Sequence, residues 1–165
     1  MTDDKILKTI KYFDTESASR EQDPWKLFRK GVIREPATTK AVKDSRSKTD
    51  IYLMCMSNDE LNDIVTMVQA ANYDRHRRND PVWSRTRKEL PYNNFSAWRT
   101  KIGARKLSND ECIAFLRSYS PSRVADDIYS FISMTPMTAR QRNLIKRANI
   151  DRISNKHNYA KIETR

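Results

Sequence analysis

The chain has 165 residues, with 32 lysines and arginines against 21 aspartates and glutamates, a formal net charge of +11, and a mean hydropathy of −0.85. A single domain of this length can bury a core without disulfides or metals, and 38% hydrophobic residues exceed what disordered chains contain. No apolar run is long enough to span a membrane, and no secretory signal pattern begins the chain. We therefore expect a soluble, intracellular protein of the cytoplasm that has no membrane partner.

Glycine and cysteine are both scarce. Only Gly31 and Gly103 occur, whereas β-rich proteins use glycine for tight turns and bulges, so helices joined by short polar turns are favoured. Cys55 and Cys112 stand singly in apolar stretches, with no spacing typical of metal ligands. This pattern predicts two buried thiols in a reducing compartment.

The first third of the chain predicts helices separated by a polar segment. Residues 3–14 place four apolar side chains on one helical face, and Asp23-Pro24 opens a short helix that ends at Gly31. Residues 35–50 are polar and are predicted to form a loop or an exposed arm. Residues 51–56 fit a short strand and a buried helical turn equally well.

The remaining two thirds predict helices from their start signals. Ser57, Ser108 and Thr138 each begin a capping box. In this motif the side chains of the first and fourth residues accept hydrogen bonds from backbone amides that have no partner within the helix. Proline after Asp80 and after Ser120 marks two further starts, and an apolar pattern over residues 94–105 marks another.

The predicted fold is all-α. We expect a compact bundle of roughly six to eight short helices built as one domain over residues 1–153. The polar tail over residues 154–165 is expected to be loose or only partly helical.

Positive charge is concentrated in two blocks. Residues 73–106 carry 10 basic against 3 acidic side chains, and residues 138–165 carry 8 against 2. Arginine binds phosphate oxygens in pairs of hydrogen bonds, and its binding to a polyanion releases counterions. The candidate phosphate contacts in the first block are Arg75, Arg77, Arg78, Arg85, Arg87, Lys88, Arg99, Lys101, Arg105 and Lys106.

Aromatic residues are interleaved with these cations: Tyr73, Trp83, Tyr92 and Trp98. Exposed aromatic rings could stack on unpaired bases. For Trp83 and Trp98 we favour the alternative that they anchor the core.

The second block lies on a predicted amphipathic helix. Its apolar side holds Ala139, Gln141, Leu144, Ile145 and Ala148. Its other side carries no acid, so its cations repel one another and a negatively charged partner would relieve the repulsion. The candidate contacts on that side are Arg140, Arg142, Lys146 and Arg147.

Residues 112–128 resemble a helix-turn-helix, in which the second helix enters the major groove of DNA. Ala114 supplies the small residue where the two helices would cross, and Ser120-Pro121 would cap the second helix. The pattern departs from the motif at Ser118, where glycine is usual, and at Asp126 and Asp127, which would face phosphates. A plain αα-hairpin within a helical bundle is the favoured alternative.

Signals of catalysis are weak. His76 and His157 lie in basic, polar surroundings, which is typical of surface histidines, and no phosphate-binding loop, nucleophile elbow or zinc pattern occurs. The acidic sets at residues 59–63 and 126–127 fit helix ends and solvated faces better than a magnesium site. We expect no cofactor and no metal, and a nuclease or glycosylase activity is a minor alternative.

These patterns predict a non-enzymatic protein that binds DNA or RNA through phosphate contacts, as a small subunit of a nucleoprotein assembly that includes other protein subunits. The first alternative is a sequence-specific helix-turn-helix regulator. The second is a structural or interaction subunit, for example of a virus, whose basic faces dock on acidic protein surfaces.

Overall fold

The computed structural model describes the backbone of residues 1–21 and 48–163, and the side chains of residues 1–16 and 49–154. Within these ranges the chain is helical and has no strand, as predicted. The helices are α1 (Asp3–Glu21), α2 (Lys48–Met54), α3 (Asn58–Arg77), α4 (Pro81–Glu89), α5 (Phe95–Ile102), α6 (Asn109–Arg117), α7 (Pro121–Met134) and α8 (Ala139–Glu163).

The helices after residue 57 begin at the start signals that the sequence predicted. Both predicted serine capping boxes form, at Ser57 before α3 and at Ser108 before α6. At the start of α8 the Thr138 backbone donates to the Gln141 side chain at 3.0 Å, and the Gln141 backbone donates to the Thr138 hydroxyl at 3.2 Å. These bonds satisfy amides that have no acceptor within the first helical turn, so each start is fixed by its own local sequence.

Helix α7 lies at the centre of the bundle. It packs against α1 on one side and against α3 on the other. Its buried face includes Val124, Ile128, Phe131 and Ile132, each at most 1% exposed. The core therefore forms around α7, and the remaining helices cover it.

An aromatic cluster joins α4 and α5 to this core. Trp98 lies edge-on to Trp83 and to Phe131, with ring centroids 5.5 and 5.2 Å away. Trp83 and Trp98 are 2% and 0% exposed. The prediction that both tryptophans anchor the core is confirmed.

Several element boundaries differ from the sequence expectation. α1 continues to Glu21, beyond the predicted end at residue 14, and the backbone of α8 continues to Glu163, so most of the tail is helical rather than loose. The ambiguous residues after position 50 belong to helix α2, which starts at Lys48, inside the stretch predicted as a loop. The rest of that stretch, and the short helix predicted from Pro24 to Gly31, lie outside the described residues.

One predicted burial is wrong. Cys112 is buried, but Cys55 is exposed. Leu53 is the residue of α2 that enters the core, and Met54 and Cys55 beyond it lie on the outer side. Within the described residues, no helix has the length and apolar character needed to cross a membrane.

Candidate nucleic-acid interface

Asp74 is the centre of a charge cluster in the first basic block. It is 7% exposed and accepts a hydrogen bond of 2.8 Å from the indole of Trp83. Arg87 pairs with the same carboxylate at 2.8 Å and Arg78 at 3.5 Å. The two arginines thus compensate a buried negative charge that holds α4 against α3.

Other cations of the block pair in the same way. Arg75 reaches Asp127 of α7 at 2.7 Å, and Asp127 is fully buried. Arg99 of α5 contacts Asp63 of α3 at 3.0 Å and donates to the Thr66 hydroxyl at 2.9 Å. The remaining paired cations of the block are Arg77 with Asp80, Arg105 with Glu111, and Lys106 with Asp59.

The structure thus divides the ten candidate contacts of the first block. Seven make ion pairs, and only Arg85, Lys88 and Lys101 are exposed with no ion pair among the described residues. Most of these cations are already paired with acidic side chains of the same chain, so the block does not form one continuous surface of free cations. Arg75, Arg87 and Arg99 join one helix to another.

The aromatic residues of the block offer no exposed stacking platform. Tyr92 is buried, and its hydroxyl donates to Asp3. Tyr73 is half-buried and lies edge-on to Trp83, with centroids 4.6 Å apart. With both tryptophans in the core, no aromatic side chain of the block is positioned to receive a base.

The second block has the arrangement that its pattern predicted, with one exception. Arg140, Arg142, Lys146 and Arg147 are exposed, and Leu144, Ile145 and Ala148 are half-buried against the bundle. The exception is Ala139, which is exposed because α8 begins there, before the helix reaches the bundle. Arg142 donates to the Met137 carbonyl at 3.2 Å, and none of the four cations makes an ion pair within the described residues. We call these four side chains the α8 face.

Arg152 anchors α8 to the bundle. Its side chain is 11% exposed and bonds Asp14 of α1 at 2.7 Å as well as Asp126 of α7. Its guanidinium lies 4.6 Å from the ring centre of Tyr129, a favourable cation–π geometry.

The Tyr129 hydroxyl donates to the Ile145 carbonyl of α8, which adds a second link to α7. Burial raises the pKa of Tyr129 from 10.0 to about 12, because the charged tyrosinate is poorly solvated there.

Two lysines of α1 that the sequence reasoning missed lie beside the α8 face. Lys8 and Lys11 are exposed, and together with Arg147 they line a groove between α1 and α8. Neither lysine makes an ion pair within the described residues. Their spacing of three residues already placed them on one side of α1. The near-neutral net charge of residues 1–22 gave no sign of them, because a charge sum does not show which side chains make ion pairs.

The helix-turn-helix candidate corresponds to α6 and α7. A recognition helix must expose the side chains that read bases, but α7 is packed between α1 and α3. Ala114, expected at the helix crossing, is exposed, and Asp127, expected to face phosphates, is buried and paired with Arg75 and Arg123. The geometry favours the αα-hairpin alternative.

The acidic residues considered for a magnesium site are engaged with cations. The bond from Lys106 lowers the pKa of Asp59, and the bond from Lys5 lowers the pKa of Glu60. Burial raises the pKa of Asp63. Among the described residues, no three His, Cys, Asp or Glu side chains are grouped so that they could hold a metal ion.

No protein-family model matches the chain, and searches of curated proteins and of solved structures found no significant match.

Proposed function

We propose that this protein binds the phosphate backbone of nucleic acid through the α8 face together with Lys8 and Lys11, without catalysing a reaction. The observation that carries the proposal is the contrast between two sets of cations. Most cations of the first block are paired with acids of the same chain, whereas those of the α8 face are exposed and make no ion pair within the described residues.

Unopposed cations on one helix face repel one another, at a cost in free energy that a polyanion removes. The face is held in place by Arg152 and Tyr129, so its cations are presented from an anchored helix. A surface of this kind contacts phosphates but does not distinguish bases, so we expect weak sequence preference. A small subunit of a nucleoprotein assembly would have these properties.

The first test compares two variants that lose the same charge. One carries Arg140→Gln, Lys146→Gln and Arg147→Gln on the α8 face. The matched control carries Arg85→Gln, Lys88→Gln and Lys101→Gln, the exposed cations of α4 and α5. All six side chains are exposed and make no ion pair within the described residues, so neither variant should disturb the fold.

Binding to duplex and single-stranded oligonucleotides is measured by fluorescence anisotropy over a range of salt concentrations. For the unmodified protein, the logarithm of the association constant should fall steeply with the logarithm of the salt concentration. On duplex DNA the slope should be about −0.9 for each phosphate contacted. The α8 variant should bind at least about tenfold more weakly, with a slope shallower by roughly two to three, while the control stays near the unmodified protein. A flat salt dependence, or an equal loss in both variants, would contradict the proposal.

A second candidate is docking on an acidic protein, and one observation favours it. Ile150 and Ile153 are each 63% exposed, and Ile150 lies three residues after Arg147 on the same side of α8. Exposed aliphatic side chains beside cations suit a protein partner that is both acidic and apolar. Substituting serine for both isoleucines should weaken such a complex and leave the affinity for nucleic acid unchanged.

A further inference from the structure

The groove between α1 and α8 has an apolar lining that the bundle leaves partly uncovered. Leu7 of α1 and Leu144 and Ala148 of α8 line it, and all three side chains are only half-buried. Its volume is about 220 Å³. Small-molecule sites usually measure about 300–1,000 Å³, whereas a dry cavity of about 150 Å³ already admits a benzene-sized group. The groove is therefore small for a small-molecule site, but it can take one or two side chains of a partner.

The two helices that form the groove run in the same direction. Leu7 lies in the same small cavity as Leu144, and further along both helices Asp14 pairs with Arg152 at 2.7 Å. Each helix contributes about two turns to the walls, a length of roughly 11 Å at 1.5 Å per residue. In helical bundles, a third helix covers a groove of this kind by packing along both helices.

Both walls of the groove carry exposed cations. Lys8 and Lys11 lie on the α1 wall and Arg147 on the α8 wall, and none of them makes an ion pair within the described residues. Asp151, on the α8 wall, is the one exposed acid of the lining, so positive charge prevails. A complementary partner must therefore present negative charge on both sides of an apolar strip.

We propose that this groove is the docking site for an amphipathic helix of a protein partner, with aliphatic side chains on one face and acidic side chains on both flanks. The aliphatic side chains, spaced three and four residues apart, enter the apolar cavity. The acids of one flank pair with Lys8 and Lys11, and those of the other flank pair with Arg147.

Such docking does not depend on nucleic-acid binding, although it uses three of the same cations. Lys8, Lys11 and Arg147 cannot pair with phosphates and with the acids of a helix at the same time, so the two ligands should exclude each other. Ile150 and Ile153 do not line the groove, so the helix occupies a different surface from the one that carries these isoleucines.

An amphiphile with a single charged end, such as a fatty acid, uses less of the groove. Its acyl chain covers the apolar lining, but its carboxylate can pair with the cations of one wall only. The cations of the other wall then stay unpaired. A helix with acidic side chains on both flanks meets both walls and covers the apolar strip between them.

The probe is a designed peptide of about 18 residues, with leucine at heptad positions a and d and glutamate at positions e and g. Its binding is measured by fluorescence anisotropy at low salt. A matched peptide with glutamine in place of glutamate should bind at least about tenfold more weakly, because the cations stay unpaired. A peptide with alanine in place of leucine keeps every glutamate and should also bind at least about tenfold more weakly, because nothing fills the cavity.

Two variants of the protein locate the binding. Ala148→Phe fills the cavity from a half-buried position and should abolish binding of the glutamate peptide. The second variant reverses the charge of both walls through Lys8→Glu, Lys11→Glu and Arg147→Glu. It should lose the glutamate peptide and bind a peptide with lysine at positions e and g, a gain that a folding defect would not produce.

A matched control makes the same change of charge on α4 and α5. It carries Arg85→Glu, Lys88→Glu and Lys101→Glu, at exposed positions that do not line the groove. The control should keep the glutamate peptide and should not bind the lysine peptide. Equal behaviour of the two charge-reversed proteins would overturn the docking site, because only the net charge would then matter.

A direct readout separates the possible occupants. The methyl resonances of Leu144 and Ala148 should shift when the glutamate peptide is added, and duplex DNA should displace the peptide. Peptide binding without these shifts, or simultaneous binding of peptide and duplex, would overturn the docking site. Shifts caused by dodecanoate but not by the peptide would also overturn it and would identify an amphiphile as the occupant. Failure of the protein to bind any oligonucleotide would overturn the nucleic-acid interface alone.

Discussion

At the scale of single residues, aspartates determine which arginines are available to a partner. Asp63, Asp74 and Asp127 are each at most 8% exposed, and each is paired with an arginine of the first basic block. Burying a carboxylate is tolerated only when a cation or hydrogen-bond donors compensate its charge. These arginines are therefore part of the packing, and a count of positive charge along the sequence overstates the cationic surface.

Asp74 provides the residue-scale prediction. Asp74→Ala should lower the free energy of unfolding by about 2–3 kcal/mol, because it leaves the buried Trp83 indole without an acceptor and separates Arg87 from its counter-charge. Asp74→Asn keeps an oxygen for the indole and should cost about half as much. Urea unfolding followed by tryptophan fluorescence measures both, and equal losses would show that the indole bond contributes little.

At the scale of elements, α8 is the helix whose attachment controls the proposed surface. It packs on α1 and is linked to α7 through Tyr129 and Arg152. The α8 face, Ile150 and Ile153 are exposed, so α8 packs against the bundle on one side only. Local loss of these links should release α8 while α3 and α7 stay packed, since none of the buried residues of the described core lies on α8.

The raised pKa of Tyr129 gives a pH-dependent prediction for this attachment. Between pH 10 and about 12 the folded protein holds the Tyr129 proton while the unfolded chain releases it, so stability falls as the pH rises through this window. At pH 8 the protein should be more stable than Tyr129→Phe, because the bond to the Ile145 carbonyl is intact. Urea unfolding measures the difference in free energy of unfolding between the two proteins, and this difference should shrink above pH 10. A difference that stays constant would show that Tyr129 titrates alike in the folded and unfolded states.

At the scale of the whole molecule, α7 makes the described part of the chain one packed unit. Its two sides bury against helices from the beginning and the middle of the sequence. Phe131 lies fully buried in this core, in contact with the rings of Trp98 and Phe95. Because α7 and α3 take part in most of the helix contacts of the described residues, we expect unfolding to be cooperative.

Phe131→Ala tests this expectation. Truncation of a fully buried phenylalanine should cost about 3–5 kcal/mol, through lost burial and the cavity left behind. Tryptophan fluorescence and far-ultraviolet circular dichroism should report the same reduced midpoint in urea. Two separate transitions would instead indicate that the chain contains more than one folding unit.

The sequence by itself determined the helical class and most helix starts, because capping depends on residues at most three apart, as at Ser57, Ser108 and Thr138. It also predicted the exposed cations of α8, since that pattern lies within one helix. Only the tertiary structure decided the ion pairs that join separate helices, because Arg75 lies 52 positions from Asp127 and Arg99 lies 36 from Asp63. The same long-range packing brought Lys8, Lys11 and Asp14 beside Arg147. Neighbours along a helix follow from its repeat, whereas neighbours across a bundle depend on how the helices pack.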